Sequence, residues 1–375
     1  MSLRLELYAS DHVEQVRRFN ARLREGNVDP SFLLPESAPT QYPADPLHHM
    51  PSVNFSKRHF LALQDESVLG GFLLQEQACE VAGETHWCGN IQMPISEGIV
   101  NRKFSYVAAL MLQSLLRHRP FVFAVGMGGL EAPFAQFLCA MKWRVGLVPF
   151  RFYVLRPAQF LREVQMFNSS RSRALVANIG IWSGLGSLSL LGLQRARSQS
   201  TMALFAEHIY QWGDQSSWLW SRYRPECSFA AVRDLASLPS FLDLTGSRLS
   251  GYRLADRQGT TRGWIVLQVT AMHDNKYFGS LRIATLLDAV CEPGFERAVI
   301  RAGIACASDH NADLVITNQQ HCLWVTASDE NGFWKGPSNY VFATSPQLTQ
   351  AISQVDPEFS RVHLSRADGD GRLNL

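Results

Sequence analysis

The stretch FVFAVGMGGLEAPFAQFLCAMKWR, Phe121–Arg144, decides how the chain is to be read. An apolar run rich in Phe and Val stops at Gly126, Gly128 and Gly129. A segment with helical spacing follows and ends at Lys142–Trp143. VPFRFYVLRP, Val148–Pro157, then returns to the composition of strands. Strand, glycine, helix and strand in that order suit a backbone that bends at the strand's end, or is approached closely there. An ordinary glycine turn between strand and helix accounts for the same residues, so the wider pattern must decide.

That pattern occurs twice. Gly71–Phe72 in the hairpin-like FLALQDESVLGGFLLQ (Phe60–Gln75) matches Gly263–Trp264 in YRLADRQGTTRGWIVLQ (Tyr252–Gln268). VFAVG (Val122–Gly126) matches LVITN (Leu314–Asn318), and both strands end in a residue type that tolerates positive φ. Both matches have one displacement, 192 residues (264 − 72 and 314 − 122). The helical segments that follow, AQFLCAMKW and HCLWVTASDENGF, end 190 residues apart (333 − 143). Three anchors at nearly one displacement indicate a duplicated domain. The halves are 1–160 and 205–375, joined by a Gly/Ser-rich apolar connector, 161–204.

Each half has the same order. An opening helix (His12–Arg24 in the first half) precedes a hairpin and a third long strand, WCGNIQMPISEGIV or FGSLRIATLLDAV. A helix follows, then the apolar strand, a second helix and closing strands. In VAALMLQSLLRHR (Val107–Arg119) the spacing predicts a face of Leu110, Leu112, Leu115 and Leu116, with Arg117 and Arg119 in the last turn. Hairpins passing into strand–helix–strand units predict an α/β fold with a mixed, largely antiparallel sheet.

The composition fits two globular domains. Of the 375 residues, 46% are hydrophobic and 18% charged, which excludes a disordered chain. Thirty-five basic residues against 33 acidic ones leave no basic footprint, and no nucleic-acid partner is expected. The seven cysteines are odd in number and never spaced CxxC, so neither a zinc site nor a disulfide framework is expected. Cys139 in FLCAM reads as a small hydrophobe in a reducing cytoplasm. The first residues, MSLRLELYASDHVEQV, lack the apolar core and cleavage site of a signal peptide.

Ala174–Leu193, ALVANIGIWSGLGSLSLLGL, runs without a charge between Arg171 and Arg173 on one side and Arg195 and Arg197 on the other. Its length is that of a bilayer span. Asn178 and the glycines and serines dilute its hydrophobicity. A buried helical hairpin, a peripheral docking segment at the inner membrane and a true span all remain open. Arginines on both sides favour docking over crossing.

The order of elements resembles the GNAT acyltransferase fold. The resemblance is carried by PISEGIV (Pro94–Val100) as the fourth strand and FVFAVGMGG as the fifth. PFAQFLCAMKWRV supplies the helix after them, and VPFRFYVLRP the closing strands. The second half is similar through LRIATLLDAV, ADLVITNQ, NGFWKGPSNYVFA and the tail RADGDGRLNL. Two copies in one chain resemble the tandem-GNAT proteins, a subset of which accompanies exopolysaccharide assembly in bacteria.

The resemblance implies that the fourth and fifth strands splay into a slot, where the pantetheine arm of acetyl-CoA or another acyl-CoA pairs as a surrogate strand. Gly126 and Gly128 would let the fifth strand bend away and the thioester approach. The acyl group would pass to an amine or hydroxyl of a small-molecule or saccharide acceptor. Glu97, in an otherwise uncharged strand, is the candidate general base. An edge glutamate in solvent is the alternative. Ser96, Gly98 and Val100 would line the carrier, with the Gly98 and Val100 amides donating to the thioester carbonyl.

The chain departs from the family at the pyrophosphate loop. NRKFSYVAAL (Asn101–Leu110) contains no glycine, which leaves Arg102, with Lys103, to meet phosphate. CEPGFERAV in the second half has Gly294 alone, so only the first half is expected to be active. For the acceptor, His49 sits in a Pro-rich loop that precedes the hairpin, and Asn318 and His321 stand at the matching slot of the second half. Each has a plain alternative, solvent for the loop histidine and helix capping for the other two. His273–Asp274–Asn275 reads as a connection between strands, and the tail DGDGRLNL echoes the start of a calcium loop without its later ligands, so no metal is expected. An aminoacyl-tRNA-dependent transferase of the peptidoglycan-bridge type, also a double GNAT fold, is the alternative enzyme. A non-catalytic adaptor docking at the membrane is the alternative of a different class.

Overall fold

The structure, a computed structural model, describes residues 3–40, 55–163, 185–246, 248–275 and 277–369. It divides into unit 1, Met1–Leu147 with Val341–Val355, and unit 2, Val148–Tyr340 with Asp356–Leu375. The mixed α/β class expected from the sequence is the one found, as two mixed sheets.

Unit 1 runs β1 (Arg4–Leu7), α1 (Val13–Glu25), β2 (Phe55–Gln64), β3 (Ser67–Val81), β4 (Glu84–Ser96), α2 (Val107–His118), β5 (Val122–Met127), α3 (Pro133–Ala140) and β6 (Arg144–Leu147). The first four strands are antiparallel, β4 and β5 parallel. Side-chain alternation with period two gives the sheet two apolar faces. Leu61, Leu63, Val68 and Ile95 cover the face that receives Val16, Phe19 and Leu23 of α1. Ala62, Phe72, Leu74 and Ile91 cover the other, which receives Val107, Met111, Leu112 and Leu115 of α2. The face predicted for α2 was displaced by part of a turn: Leu110 is exposed, and Val107 and Met111 point inward.

Unit 2 runs β7 (Phe150–Val154), α4 (Pro157–Glu163), α5 (Leu185–Arg197), β8 (Phe205–Ile209), α6 (Asp214–Tyr223), β9 (Phe229–Ala231), α7 (Leu238–Phe241), β10 (Leu249–Ala255), β11 (Thr261–Ala271), β12 (Arg282–Cys291), α8 (Glu296–Asp309), β13 (Leu314–Asn318), α9 (Cys322–Glu330) and β14 (Trp334–Gly336). The chain then supplies β15 (Tyr340–Thr344) and α10 (Pro346–Val355), and finally β16 (Val362–His363).

The two sheets share one plan. The first has the order β1-β2-β3-β4-β5-β15-β6 and the second, read from its other edge, β8-β10-β11-β12-β13-β7-β14. In each, the strand beside the fifth comes from the opposite half of the sequence. β7 pairs with β13 from Val154↔Leu314 to Phe150↔Asn318, while β15 pairs with β6 from Val341↔Leu147 to Thr344↔Arg144. The units are therefore not the halves 1–160 and 205–375: the closing strands are exchanged. Proline explains it locally. Only Val148–Pro149 separates β6 from β7, and Pro337–Ser338–Asn339 separates β14 from β15. A proline fixes its own φ and holds the preceding residue extended, so the chain runs on instead of closing a tight hairpin.

Of the charge-free run Ala174–Leu193, residues 174–184 lie outside the described ones. From Leu185 the chain is helical, with Leu188 and Leu193 exposed. Among the described residues no helix is long and apolar enough to cross a membrane. Gln194 is buried and bonds both the amide and the carbonyl of Val154, at 3.2 and 3.0 Å, as a strand neighbour would. Five cysteines are buried, but Cys139, expected to be apolar filler, is exposed on α3.

Candidate functional site

In unit 1 the ladder between β4 and β5 holds Gly89 with Val122 and Asn90 with Phe123, and goes no further. β4 continues for six residues beyond Asn90 and β5 for four beyond Phe123, without further pairing between them. The cause lies on the other side of β4. Gly71 faces Ile95 and Leu73 faces Gln92, so Met93 and Pro94 together oppose Phe72. This is a β-bulge, with Met93 in the left-handed region at φ 47°. Pro94 has no N–H to give to a ladder, which makes the bulge the cheapest way through a buried strand. A bulge of this kind bends the strand that carries it, and here it lies just past the last β4–β5 pair.

Glycine follows β5, which itself ends at Met127. Gly126 is a strand residue; the left-handed conformations fall on Gly128 (φ 137°) and Gly129 (φ 77°). Pro133 then starts α3 from its first position, where a missing N–H costs nothing.

β4 leads into a 3₁₀ turn, Glu97–Ile99. Glu97 is only 4% exposed, and its Oε2 accepts a hydrogen bond from Arg22 Nη2 of α1 at 2.7 Å. It is thus not the solvated edge glutamate that was the alternative. Among the described residues its Oε1 has no hydrogen-bond partner. Arg22 carries no signal in a sequence reading, since a polar-face arginine on an amphipathic helix looks like solvated surface. Ser96 is half-buried and begins the turn without capping it. Gly98 is required by packing, because a Cβ there would fall 2.7 Å from the Phe104 carbonyl oxygen.

One expected donor needs correction. The Val100 amide is spent inside the turn, donating to the Glu97 carbonyl at 3.1 Å, and so is not offered to a thioester. In place of a glycine loop stands a second 3₁₀ turn, Arg102–Phe104, capped by Asn101, whose Oδ1 accepts from the Lys103 amide at 3.1 Å. The Phe104 and Ser105 amides are also spent locally, on Asn101 and Arg102. The side chains of Arg102 and Lys103 are exposed. Apolar side chains stay exposed at the same end of β4: Met93 at 48% and Ile99 at 64%.

The acceptor residues expected in the second half do not face a cleft. Asn318 is buried: its Oδ1 accepts from Arg366 Nε at 2.8 Å and its Nδ2 donates toward the Val148 and Pro149 carbonyls. His321 caps α9, accepting from the Leu323 amide at 3.3 Å, while its Nε2 lies 3.0 Å from the Glu226 carbonyl. Burial holds its pKa below the ordinary histidine value. Both side chains are consumed by the fold, His321 as the helix cap that was its alternative and Asn318 by bonds to other parts of the chain. His49 lies outside the described residues. Of the tail that echoed a calcium loop, Asp368 is bound to Arg233 at 2.9 Å.

No family model matches the chain, and no curated protein does. Among solved structures it is similar to a conserved protein of unknown function from Enterococcus faecalis V583, described as a probable N-acyltransferase. The TM-score is 0.51 at 9% identity, over 93% of this chain and 74% of that one. Saccharomyces cerevisiae N-myristoyltransferase with bound myristoyl-CoA gives a TM-score of 0.45 at 10% identity, over 92% and 82% of the two chains. A tandem GNAT protein from the clavulanic acid biosynthesis pathway gives 0.44 at 12%, over 92% and 98%. Overlaps below 0.5 carry no weight, and at 9% identity the Enterococcus likeness is one of fold alone. That likeness is to a mixed α/β fold, which both sheets share.

Proposed function

We propose that unit 1 binds an acyl thioester between β4 and β5 and transfers the acyl group to an amine or hydroxyl. One observation carries the reading: the ladder ends at Asn90–Phe123 while both strands continue. An extended arm would pair with the facing strand edges past that point, as in β-strand addition. Gly126 and Gly128 leave the fifth strand's end accessible, and the exposed Met93 and Ile99 suit an apolar arm or acyl chain. Glu97 is the candidate base, aimed by Arg22 through Oε2 so that Oε1 is the oxygen that takes the proton. Gly98 remains the candidate amide donor to the thioester carbonyl, with Ser96 beside it. Arg102 meets phosphate through its side chain.

A saccharide acceptor and contact of Ala174–Leu193 with the inner membrane belong to the same proposal and rest on the sequence alone. The test is thermal stabilisation of the full chain across acyl-CoA chain lengths, since a ligand that binds only the folded state raises Tm. Stabilisation by acetyl-CoA or a longer homologue is expected. Glu97→Gln is expected to keep it and to lose about 10²–10⁴ in turnover. No stabilisation by any acyl-CoA would overturn the coenzyme A reading. Because the Lys103, Phe104 and Ser105 amides are spent locally, a carrier without a diphosphate has a specific argument in its favour. Stabilisation by aminoacyl-tRNA alone would select that second reading.

A further inference from the structure

Unit 2 repeats the short parallel ladder and the bulge beside it. The β12–β13 ladder holds Ile283↔Leu314, Ala284↔Val315 and Thr285↔Ile316 and stops there. Val266 faces Asp288 and Leu267 faces Leu286, so Leu287 is a bulge at the place that Met93–Pro94 occupies in unit 1. We infer that this second slot is a peptide-binding site whose ligand is the chain's own C-terminal segment, Ser360–Gly369. Seated there, the segment excludes a carrier, so a chain holds one carrier, in unit 1. The last clause rests on the reading of unit 1 given above.

The segment's backbone bonds run to the loop that follows β13 and to β9, and it reaches β12 through side chains. From the end of β13 onward, Gln320 donates its amide to the Leu364 carbonyl at 3.1 Å and Cys322 to that of Ser360 at 2.8 Å. On its other side Val362 and His363 pair in parallel with Phe229 and Ala230 of β9, and Ser228 donates to the Arg361 carbonyl at 2.9 Å. Every residue from Val362 to Gly369 is buried.

Side chains then lock it. Arg233, itself fully buried, bridges β12 to the segment: Nε donates to Asp288 at 3.0 Å and Nη2 to both oxygens of Asp368 at 3.0 and 2.9 Å. His363 lies between Asp288 (Nε2, 3.3 Å) and the Tyr223 hydroxyl (Nδ1, 2.9 Å), to which Trp324 Nε1 donates at 2.7 Å. Asp368 also accepts from the Ser365 amide at 2.8 Å, which closes the segment's own turn. An independent feature works against a carrier's phosphates. Where unit 1 offers Arg102 and Lys103, α8 begins with buried Glu296, whose Oε2 accepts from the Gly294 amide at 3.0 Å. The helix start is supplied with an anion by the chain itself.

Hydrogen exchange on the full chain, with and without saturating acetyl-CoA and palmitoyl-CoA, tests the seat and the exclusion separately. The amides of Gln320 and Cys322 are expected to be protected in all states, and carrier-induced slowing to be confined to 91–104 and 122–130. Asp368→Asn is expected to speed exchange at Gln320 and Cys322 by about a hundredfold, because it leaves buried Arg233 half-paired. Should that variant not fold, the wild-type measurement still decides. Exchange at Gln320 and Cys322 as fast as in exposed loops would overturn the seat. Slowing within 283–291 or 314–322 on adding carrier, or two carriers per chain by native mass spectrometry, would overturn the exclusion. Absence of slowing anywhere would remove the reading of unit 1, while protection at Gln320 and Cys322 would still uphold the seated segment.

Discussion

Arg22 Nη2 lies 2.7 Å from Glu97 Oε2 and donates at the same time to the Val68 carbonyl at 2.9 Å. One nitrogen thus ties α1 to the turn after β4 and to the start of β3. Glu97 is nearly out of solvent, whereas the Arg22 side chain is 38% exposed. Removing the arginine strands a buried carboxylate, and removing the charge on the glutamate leaves only an arginine that water can reach. Arg22→Met is therefore expected to cost about 2 kcal/mol, less than the 3–5 of a fully buried pair. Glu97→Gln is expected to cost about 1 kcal/mol or less, since the amide oxygen still accepts. Urea denaturation of both variants checks the order. Equal losses would mean that the pair is no more than a surface bridge.

Gly129 has a backbone that side chains rarely adopt, φ 77°. Gly129→Ala places a Cβ in the left-handed region and is expected to destabilise by about 1–2 kcal/mol. Gly146→Ala serves as the control, because its backbone is not left-handed and an added Cβ meets nothing within 4 Å. If β5's end also admits the carrier arm, Gly129→Ala lowers the Tm shift caused by acyl-CoA and the control does not. Thermal scans with and without ligand measure both effects.

The exchange of β7 and β15 predicts how the chain behaves when cut. A protease site introduced after Ala174 would yield two pieces, each holding a strand of the other's sheet. The nicked protein is expected to elute as one species in native buffer and to separate only in denaturant. Two species in native buffer would show that each piece closes its own sheet.

How far the sequence could be read follows from these elements. The repeat was legible because a strand with a glycine or asparagine end, followed by a helix, leaves the same apolar spacing wherever it occurs. The exchange was not. FRFYV and YVFAT are both short strands suited to a place beside a fifth strand, so the hydrophobic pattern is satisfied whichever sheet each joins. Its one local trace is proline in both connections. The bulge had a signal too, Pro94 within a buried strand, which the reading of PISEGIV as a regular strand passed over. Glu97 stands out by its isolation among uncharged neighbours, but its partner Arg22, seventy-five residues away in sequence, does not, because ion pairs leave no periodicity. Asn318 and His321 stood at the matching slot of the repeat, yet a segment some forty residues further on had already filled it.

The lock on that segment carries a pH dependence whose sign is fixed by burial. His363 is fully enclosed and faces Tyr223, Trp324, Asp288, Arg233 and Asp368. Burial, reinforced by the Arg233 charge, holds its pKa below the ordinary 6.5. Below that value the unfolded chain takes up a proton that the folded chain refuses, so stability present at neutral pH is lost as the pH falls through 6.5. Each pKa unit of difference is worth about 1.4 kcal/mol. Burial raises Asp288, but Arg233 and His363 outweigh it and hold that carboxyl low, which adds a further loss deeper in the acid range. Asp368 is raised by burial, so its contribution runs the other way and is lost as the pH rises through its folded value. His321, also lowered by burial, keeps part of the slope in any His363 variant. Tm measured from pH 7.5 to 5.5 is expected to fall in the wild type and to fall less steeply in His363→Gln. Coincident slopes would mean that His363 is not held neutral and that the segment's lock does not depend on it.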